Sequence, residues 1–318
     1  MSIYTQIEPF PSPKHFLEQI QAVSLNRHPV VVYLARLSPG SVRTMLGALN
    51  TMADILSSGR HHALTLDWSL LTHHETDLLA SQLRMRYAPA TVNKFQAALK
   101  GCLKQYWRSG LINDAQYHRA IDLPSARGTS PPKGRALREE EIQTLFAYCA
   151  GDTPCQIRDR ALLAILYGGG LRRAEAAVAM VEDYDLSTGA FTIMHGKGDK
   201  YRMVYLAGNL HLSLIRWFEL RSHIPGPLLL GVKGGRVLPQ GITPQAILKI
   251  LQRLASKTEV DVFSPHDLRR TFITELISRG GDLFSVQGLA GHADVKTTAR
   301  YDRRGEEAKR KTAALLDV

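Results

Sequence analysis

The sequence predicts a mainly helical protein of the α+β class, with a small helical N-terminal domain and a larger, mostly helical second domain that carries one small antiparallel β-hairpin. Three observations predict this fold. Apolar residues recur at helical spacing along most of the 318-residue chain. A segment rich in proline, glycine and serine, Leu123–Gly134, interrupts that pattern. Two short β-like runs flank the glycine- and lysine-rich turn 196–200.

The first predicted domain, residues 1–122, opens with an irregular arm. Residues 1–28 carry several prolines, and only a short helix at 15–23 is predicted there. Apolar side chains at helical spacing behind Ser38 then indicate a buried helix. A second helix start is predicted at Thr72, because a glutamate follows it at the spacing of a capping box.

The third predicted helix, residues 91–108, has two different faces. Its apolar side chains cluster on one face, and four cations with no carboxylate fall on the opposite one: Lys94, Lys100, Lys104 and Arg108. A solvated helix surface usually mixes both signs of charge, so this face favours contact with phosphates. The plain alternative is an ordinary solvated surface.

The segment Leu123–Gly134 has little apolar content and is predicted to be an extended linker, with bounds 123–135. The second domain then spans residues 136–318. It opens on a helix with acidic residues in its first turn. Further helices are predicted around 157–166, 171–180, 210–220 and 243–256, and the β-like runs are 191–195 and 201–206.

The charge balance points to a polyanionic partner. Forty Lys and Arg residues against 29 Asp and Glu give a net charge of +11 and a pI near 9.7, as expected for a nucleic-acid-binding protein, although a merely basic soluble protein has the same balance. No signal-peptide pattern and no long apolar run occur, which predicts a cytoplasmic protein with no membrane span. The cysteines Cys102, Cys149 and Cys155 form no paired motif and are expected to be packing residues.

The stretch 264–303 carries the residues on which the functional prediction depends. His266 and Arg269 lie three residues apart, and Tyr301 follows His292 by nine. A tyrosine with its ordinary pKa near 10 is a poor nucleophile, so it needs neighbours that favour negative charge and a polarised electrophile. A phosphodiester held by arginines meets both needs, which predicts phosphoryl transfer.

Four motifs in this order resemble those of the tyrosine site-specific recombinases, the group of phage integrases, Cre and the Xer recombinases. The motifs are Gly-Leu-Arg-Arg-Ala-Glu at 170–175, Gly-Lys-Gly at 196–198, His-Asp-Leu-Arg-Arg-Thr at 266–271, and the stretch 289–301 that begins Leu-Ala-Gly-His and ends Thr-Thr-Ala-Arg-Tyr. The resemblance covers nearly the whole chain. It implies that the first domain is a SAM-like, core-binding DNA-binding domain and that the second is catalytic.

The resemblance also implies roles for the arginines and lysines. Arg172 and Arg269 would bind the scissile phosphate, since a guanidinium presents a rigid fork of donors that matches two phosphate oxygens. Lys197 would be the general acid that protonates the departing 5′-oxygen. Lys200 is an ordinary turn residue or a contact to the DNA backbone. Glu175 is expected to orient the site instead of reacting.

The remaining roles fall to two histidines and the tyrosine. His266 would assist proton transfer or donate to a phosphate oxygen, and His292 would donate to another oxygen. Tyr301 would attack phosphorus and form a 3′-phosphotyrosyl link. Because that link conserves the energy of the broken bond, no metal or nucleotide cofactor is implied. The histidine pairs at 61–62 and 73–74 have no carboxylate at ligand spacing and are expected to be solvated surface.

Two positions depart from the family pattern. The family commonly has serine where Ala174 stands and an apolar residue where Arg173 stands. These departures concern local packing, because the arginine and the acidic position remain.

The sequence therefore predicts a site-specific recombinase that cleaves and rejoins double-stranded DNA by integration, excision or resolution. The resemblance further implies a homotetramer on two paired sites, as in the recombinases of mobile genetic elements. One alternative is a type IB topoisomerase-like activity, which shares the chemistry and relaxes plasmids that lack a recombination site. The other is a catalytically silent, site-specific DNA-binding factor, against which the intact set of six residues argues.

Overall fold

The computed structural model describes residues 28–128, 134–194, 201–302, 304–306, 310 and 313–314. In these ranges the predicted mainly helical fold with a small antiparallel hairpin is confirmed. The described residues form two compact units, one within Met1–Pro131 and one within Pro132–Val318. The predicted domain bounds, 1–122 and 136–318 around a linker, stay predictions. The predicted helix at 15–23 lies outside the described residues.

The described part of the first unit is helical. Its helices are α1 (Pro29–Ala35), α2 (Pro39–Ser57), α3 (His73–Arg86), α4 (Pro89–Arg108) and α5 (Asp114–Ile121). The helix predicted behind Ser38 is α2, the capping box at Thr72 starts α3, and the helix with the basic face is α4. Sequence reasoning missed α1 and α5.

Close packing of α1 on α4 depends on one glycine. A Cβ placed on Gly101 of α4 would overlap the aromatic ring of Tyr33 on α1. Since a packed interior leaves no room for such an overlap, glycine at this position lets the two helices lie against each other. The basic residues of α4 are thereby held on a helix that is anchored in the core of its unit.

The described part of the second unit combines helices with two small antiparallel sheets. Its helices are α6 (Glu139–Tyr148), α7 (Pro154–Leu163), α8 (Arg173–Val178), α9 (Gly208–Arg221), α10 (Pro244–Thr258), α11 (Pro265–Ser278), α12 (Leu283–Ala290) and α13 (Val295–Ala299). Its strands are β1 (Ala190–Ile193), β2 (Arg202–Tyr205), β3 (Leu230–Lys233) and β4 (Arg236–Gly241). The buried aromatic residues Phe191, Trp217 and Phe218 fill the core of this unit.

The two sheets differ in how well the sequence predicted them. Strands β1 and β2 pair antiparallel, with Ile193 opposite Arg202, as the two β-like runs predict. The turn between them, including Lys197 and Lys200, lies outside the described residues. The β3–β4 pair was not predicted, although two consecutive glycines in its turn, at 234–235, both adopt positive φ and were available as a signal.

A π-helical turn, Ala164–Gly168, leads from α7 into the first arginine motif. Such turns are rare and often occur at functional sites. The chain then passes through Gly170, whose φ of +58° favours glycine. A Cβ there would also overlap the ring of Phe272 on α11. The turn therefore brings the start of the first motif into direct contact with the helix that carries the third, His-Asp-Leu-Arg-Arg-Thr.

The described residues give no metal-binding group of three or more His, Cys, Asp or Glu side chains. Within the same ranges, every helix is too short or too polar to cross a membrane. All three cysteines are free thiols; Cys102 and Cys149 are buried and Cys155 is partly buried. Burial raises the pKa of Cys149 to about 12, so this thiol stays protonated at neutral pH.

Candidate active site

The C-terminal end of α12 is where the three motifs of the described chain meet. The helix ends at Gly291, which has φ of +62° and acts as its cap. The last carbonyls of a helix have no partner within it. Here three consecutive carbonyls, those of Leu289, Ala290 and Gly291, each accept a hydrogen bond from a different arginine. Cations are favoured at this end of a helix by its dipole as well.

Arg269 is the buried arginine of the three. It lies on α11 with only 3% of its surface exposed, and it donates to the carbonyls of Gly170 and Ala290. Burial, followed by repulsion from Arg172 and Arg202, lowers the pKa of Arg269 to about 10. This pKa is still well above neutrality, so the guanidinium remains charged where the first and fourth motifs touch it.

Arg172 is the accessible arginine, with 44% of its side chain exposed. It immediately precedes α8. Its Nη1 donates to Oε1 of Glu175 at 2.7 Å, and its Nη2 donates to the carbonyl of Gly291 at 3.1 Å. The backbone N–H of Arg172 also donates to Glu175, at 2.7 Å. The guanidinium is thus fixed on one side and open to solvent on the other.

Arg202 is the third arginine, and sequence reasoning missed it. It is 9% exposed and donates through Nη1 and Nη2 to the two carboxylate oxygens of Glu175, at 3.0 and 2.7 Å. Its Nε donates to the carbonyl of Leu289 at 3.0 Å. One signal was present in the sequence: Arg202 has the same strand parity as the buried residues Val204 and Leu206, so its side chain points inward.

Glu175 is the buried anion that joins two of these arginines. Burial alone would raise the pKa of its carboxyl, but hydrogen bonds from Arg202 and Arg172 hold the pKa at about 2. The side chain is therefore ionised at any working pH. This geometry fits the orienting role expected for Glu175.

His292 follows the cap of α12. Its Nδ1 lies 3.0 Å from the hydroxyl of Thr298, a fully buried residue, and Gln287 donates to its backbone carbonyl. Burial and then Arg269 and Arg172 lower the pKa of His292 to about 4. The ring is consequently neutral near pH 7, and a proton on Nε2 is compatible with the Thr298 hydroxyl donating to Nδ1.

Tyr301 lies beside His292, with ring centroids 6.4 Å apart and planes at 20°. The guanidinium carbon of Arg270 is 5.9 Å from the centroid of the tyrosine ring. The tyrosine follows the short helix α13, and its backbone N–H donates to the carbonyl of Thr298 at 2.9 Å. Thr298 thus fixes His292 relative to the tyrosine.

His266 lies in the first turn of α11, at the exposed side of the site. Desolvation and then Arg270 and Arg269 lower its pKa, so the neutral ring is favoured. Its electrostatic effect reaches His292 as well, which places both histidines in the field of the same arginines. The catalytic candidates of the described chain, with His266 among them, are therefore close enough to interact electrostatically.

The neighbouring Asp267 anchors this turn. One carboxylate oxygen accepts from the backbone and hydroxyl of Ser264, at 2.9 and 2.7 Å, and the other accepts from the backbone N–H of Arg135 at 3.0 Å. The chain that enters the second unit is thereby attached to the helix that carries His266 and Arg269. Sequence reasoning gave Asp267 no role.

With this geometry in place, the chain can be compared with known proteins. A sequence profile of the phage integrase family matches residues 135–307, more than half of the chain. The chain belongs to the phage integrase family. It is a tyrosine recombinase, a site-specific enzyme that breaks and rejoins DNA strands.

Individual relatives agree with this assignment. Tyrosine recombinase XerC of Alcanivorax borkumensis is 30% identical over 74% of this chain and 76% of its own length. XerD of Neisseria meningitidis serogroup B is 37% identical over 64% of this chain and 70% of its own length. XerC of Staphylococcus carnosus is 33% identical over 54% of this chain, and that match spans 58% of the relative.

Solved structures share the fold of this recombinase. The XerH recombinase bound to a palindromic difH substrate superposes with a TM-score of 0.63 at 23% identity, covering 86% of this chain and 79% of that one. A lambda integrase fragment bound to a core site gives a TM-score of 0.63 at 12% identity, covering 92% and 95%. At these identities the likeness concerns the fold alone.

The remaining basic residues, the predicted general acid Lys197 and the predicted DNA contacts, fall in two places in the recombinase. The hairpin residues Lys197 and Lys200 lie outside the described residues. On α4, Lys104 and Arg108 are exposed, whereas Lys94 and Lys100 are partly buried. Lys100 also donates to the backbone carbonyl of Leu123 at 3.5 Å. Lys104 and Arg108 are therefore the stronger candidates for phosphate contact on this helix.

Proposed function

We propose that the chain cuts and rejoins double-stranded DNA through a covalent 3′-phosphotyrosyl link to Tyr301. The observation that carries this proposal is the grouping of Arg172, Arg269, His292 and Tyr301 around the end of α12. Two guanidiniums and a neutral imidazole are donors suited to phosphate oxygens. The phenol of Tyr301 beside these donors is the nucleophile that attacks the bound phosphate.

In this proposal the arginines bind the scissile phosphate and stabilise its transition state. Arg269 is rigidly buried, and Arg172 is fixed on one edge by Glu175, so neither needs to reorganise when charge develops on phosphorus. His292 donates from Nε2 to a further oxygen of the same phosphate. The remaining N–H groups of the two arginines and Nε2 of His292 thus meet the phosphate oxygens together.

The proton inventory balances with two further residues. The Tyr301 oxygen bonds to phosphorus and loses its proton, which His266 assists in moving. The bond from phosphorus to the 5′-oxygen breaks, and Lys197 supplies the proton for the departing 5′-hydroxyl. Rejoining reverses both steps, so the reaction needs no external energy source. Neither a metal nor a nucleotide takes part in these steps.

We further propose that the enzyme acts in the cytoplasm as a homotetramer on two paired DNA sites, integrating, excising or resolving DNA of a mobile element or chromosome. The structural neighbour XerH is described in complex with a palindromic substrate. A palindromic site presents two equivalent half-sites, which suits two copies of one chain. Pairing two such sites requires four copies.

The proposal is tested with a nicked suicide duplex, in which a short fragment diffuses away after cleavage and traps the intermediate. With duplexes made from DNA that flanks the gene, we expect a covalent protein–DNA adduct that survives denaturing electrophoresis. Relaxation of plasmids that lack a recombination site would favour the topoisomerase alternative. Specific binding with no adduct would favour a silent DNA-binding factor.

A second expectation concerns the exposed cations of α4. Replacing Lys104 and Arg108 by glutamine removes two proposed phosphate contacts, and each such contact contributes about 0.9 to the slope of log affinity against log salt. The slope measured by fluorescence anisotropy should therefore fall by about 1.8. The charge-conserving pair Lys104→Arg and Arg108→Lys is the matched control. An unchanged slope in the glutamine variant would remove α4 from the proposed DNA-binding surface.

A further inference from the structure

Arg202 lies outside the four motifs, yet its side chain contacts residues of two of them. It is buried on the inner face of β2 and bonds both oxygens of Glu175 as well as the carbonyl of Leu289. One side chain thereby connects the strand, the helix after the first motif and the end of α12. No motif role accounts for a buried guanidinium in this place.

The fit of Arg202 against the cap of α12 is close. A Cβ placed on Gly291 would lie 2.8 Å from Cδ of Arg202 and 3.1 Å from its Nη1. The glycine therefore leaves room for Arg202, while its carbonyl accepts from Arg172. As a result, the positions of the two arginines are tied to the same residue.

The charges explain what Arg202 contributes. Glu175 is 5% exposed on its side chain, and a buried carboxylate is costly unless it is paired and fully hydrogen-bonded. Arg202 satisfies both oxygens from the buried side, while Arg172 reaches Oε1 from the solvent side. If Arg202 were absent, Glu175 would draw on Arg172 for its compensation and hold that guanidinium more tightly.

We propose that Arg202 is a positioning residue, which shares the carboxylate of Glu175 so that Arg172 can turn its remaining donors to the scissile phosphate. This inference rests on the proposed phosphate-binding role of Arg172. Arg202 itself does not touch DNA in this mechanism. Its effect is transmitted through Glu175 and through the carbonyl row at the end of α12, the carbonyls of Leu289, Ala290 and Gly291.

The rival explanation is that Arg202 only stabilises the fold. A substrate change separates the two explanations. In a methylphosphonate, one negatively charged phosphate oxygen is replaced by a neutral methyl group, so the transition state depends less on a correctly placed arginine. A defect that acts through Arg172 should shrink on that substrate, whereas a general loss of folded protein should reduce cleavage of both substrates equally.

The experiment measures single-turnover cleavage of suicide duplexes that carry either a phosphodiester or a methylphosphonate at the scissile position. For Arg202→Leu we expect about a 100-fold loss on the phosphodiester, the size that follows from misplacing a catalytic group by about 1 Å. On the methylphosphonate the loss should be only a few-fold. Arg172→Ala should show the same substrate selectivity, because both variants weaken the contact between Arg172 and the scissile phosphate.

A matched control exists in the same unit. Arg158 is also buried, 7% exposed on its side chain, and it pairs with the buried Asp159 at 2.7 Å. Arg158→Leu should lower the melting temperature, and any loss of cleavage should be equal on the two substrates. If Arg202→Leu fails to fold, Arg202→Lys is used, because one ammonium keeps the charge but cannot reproduce all three contacts. We then expect a smaller loss of phosphodiester cleavage with the same substrate selectivity.

The outcomes are distinct from those that test the proposed function. If wild-type protein forms no adduct, the proposed function fails before Arg202 is considered. If wild-type protein forms the adduct but Arg202→Leu loses equal activity on both substrates, or cleaves the phosphodiester at the wild-type rate, the positioning role is overturned. Selective loss on the phosphodiester supports it.

Discussion

Tyr301→Phe should abolish the covalent protein–DNA adduct while leaving DNA binding intact. The substitution removes only the hydroxyl, so the ring can keep its stacking on His292 and its contact with Arg270. Without the phenolic oxygen no bond to phosphorus can form. Suicide-duplex trapping should show no adduct above background, and a gel-shift assay should give an affinity close to that of wild type.

The control for this variant is Tyr148→Phe, which removes a hydroxyl from a tyrosine that is 38% exposed at the end of α6. That protein should form the adduct at the wild-type rate. An adduct that persists in Tyr301→Phe would assign the nucleophile to another residue. The covalent link to Tyr301 would then be wrong, even if the chain still recombined DNA.

Arg269→Lys should lower the single-turnover cleavage rate by about 100- to 1,000-fold, as deletion of a preorganised donor does in other enzymes. Lysine cannot present two parallel donors to a phosphate. A lysine also starts from a lower pKa than arginine, and burial lowers it further, whereas the pKa of Arg269 remains at about 10. The replacement therefore loses geometry and, at this depth, part of its charge.

The same substitution should reduce stability, because Arg269 also donates to the carbonyls of Gly170 and Ala290. Thermal unfolding of each variant shows how much protein is folded at the assay temperature. Arg158→Lys, the same substitution at another buried arginine, should be destabilised without a comparable loss of cleavage. If the rate of Arg269→Lys falls only as far as its folded fraction, the proposed phosphate clamp is incorrect.

The sequence was sufficient to predict the catalytic candidates that lie in dense, regularly spaced motifs. Arg172, Arg269, His292 and Tyr301 could be named because residue type and spacing both carry the chemistry. Their grouping at the end of α12 follows from tertiary contacts that no local pattern encodes. The capping box at Thr72 was equally accessible, since a cap depends on neighbours only three residues away.

Arg202 illustrates what local patterns leave out. It is one arginine in a strand whose alternate residues, Met203 and Tyr205, are exposed. Strand parity predicts that Arg202 points inward, but parity alone does not identify the anion it meets. That anion, Glu175, lies 27 residues away along the chain and becomes its partner only when the chain folds.

The sequence pattern also predicts only part of the role of the cap residue Gly291. A glycine after a helix predicts an ordinary helix end. In the structure its carbonyl accepts from Arg172 and its missing side chain makes room for Arg202. These demands come from two separate segments of the chain, so they appear only after folding.

The carbonyl row at the end of α12 has a thermodynamic consequence for the DNA-free enzyme. Three guanidiniums and one buried carboxylate, which pairs with two of them, lie there, and this leaves a surplus of two positive charges, three minus one, next to neutral histidine rings. Mutual repulsion between these charges lowers the stability of the folded state. The same surplus of positive charge attracts any anion that enters the site. Selection for thermal stability alone would remove this cluster of arginines. Its presence therefore reflects a compromise between a stable fold and a site that is preorganised for its substrate.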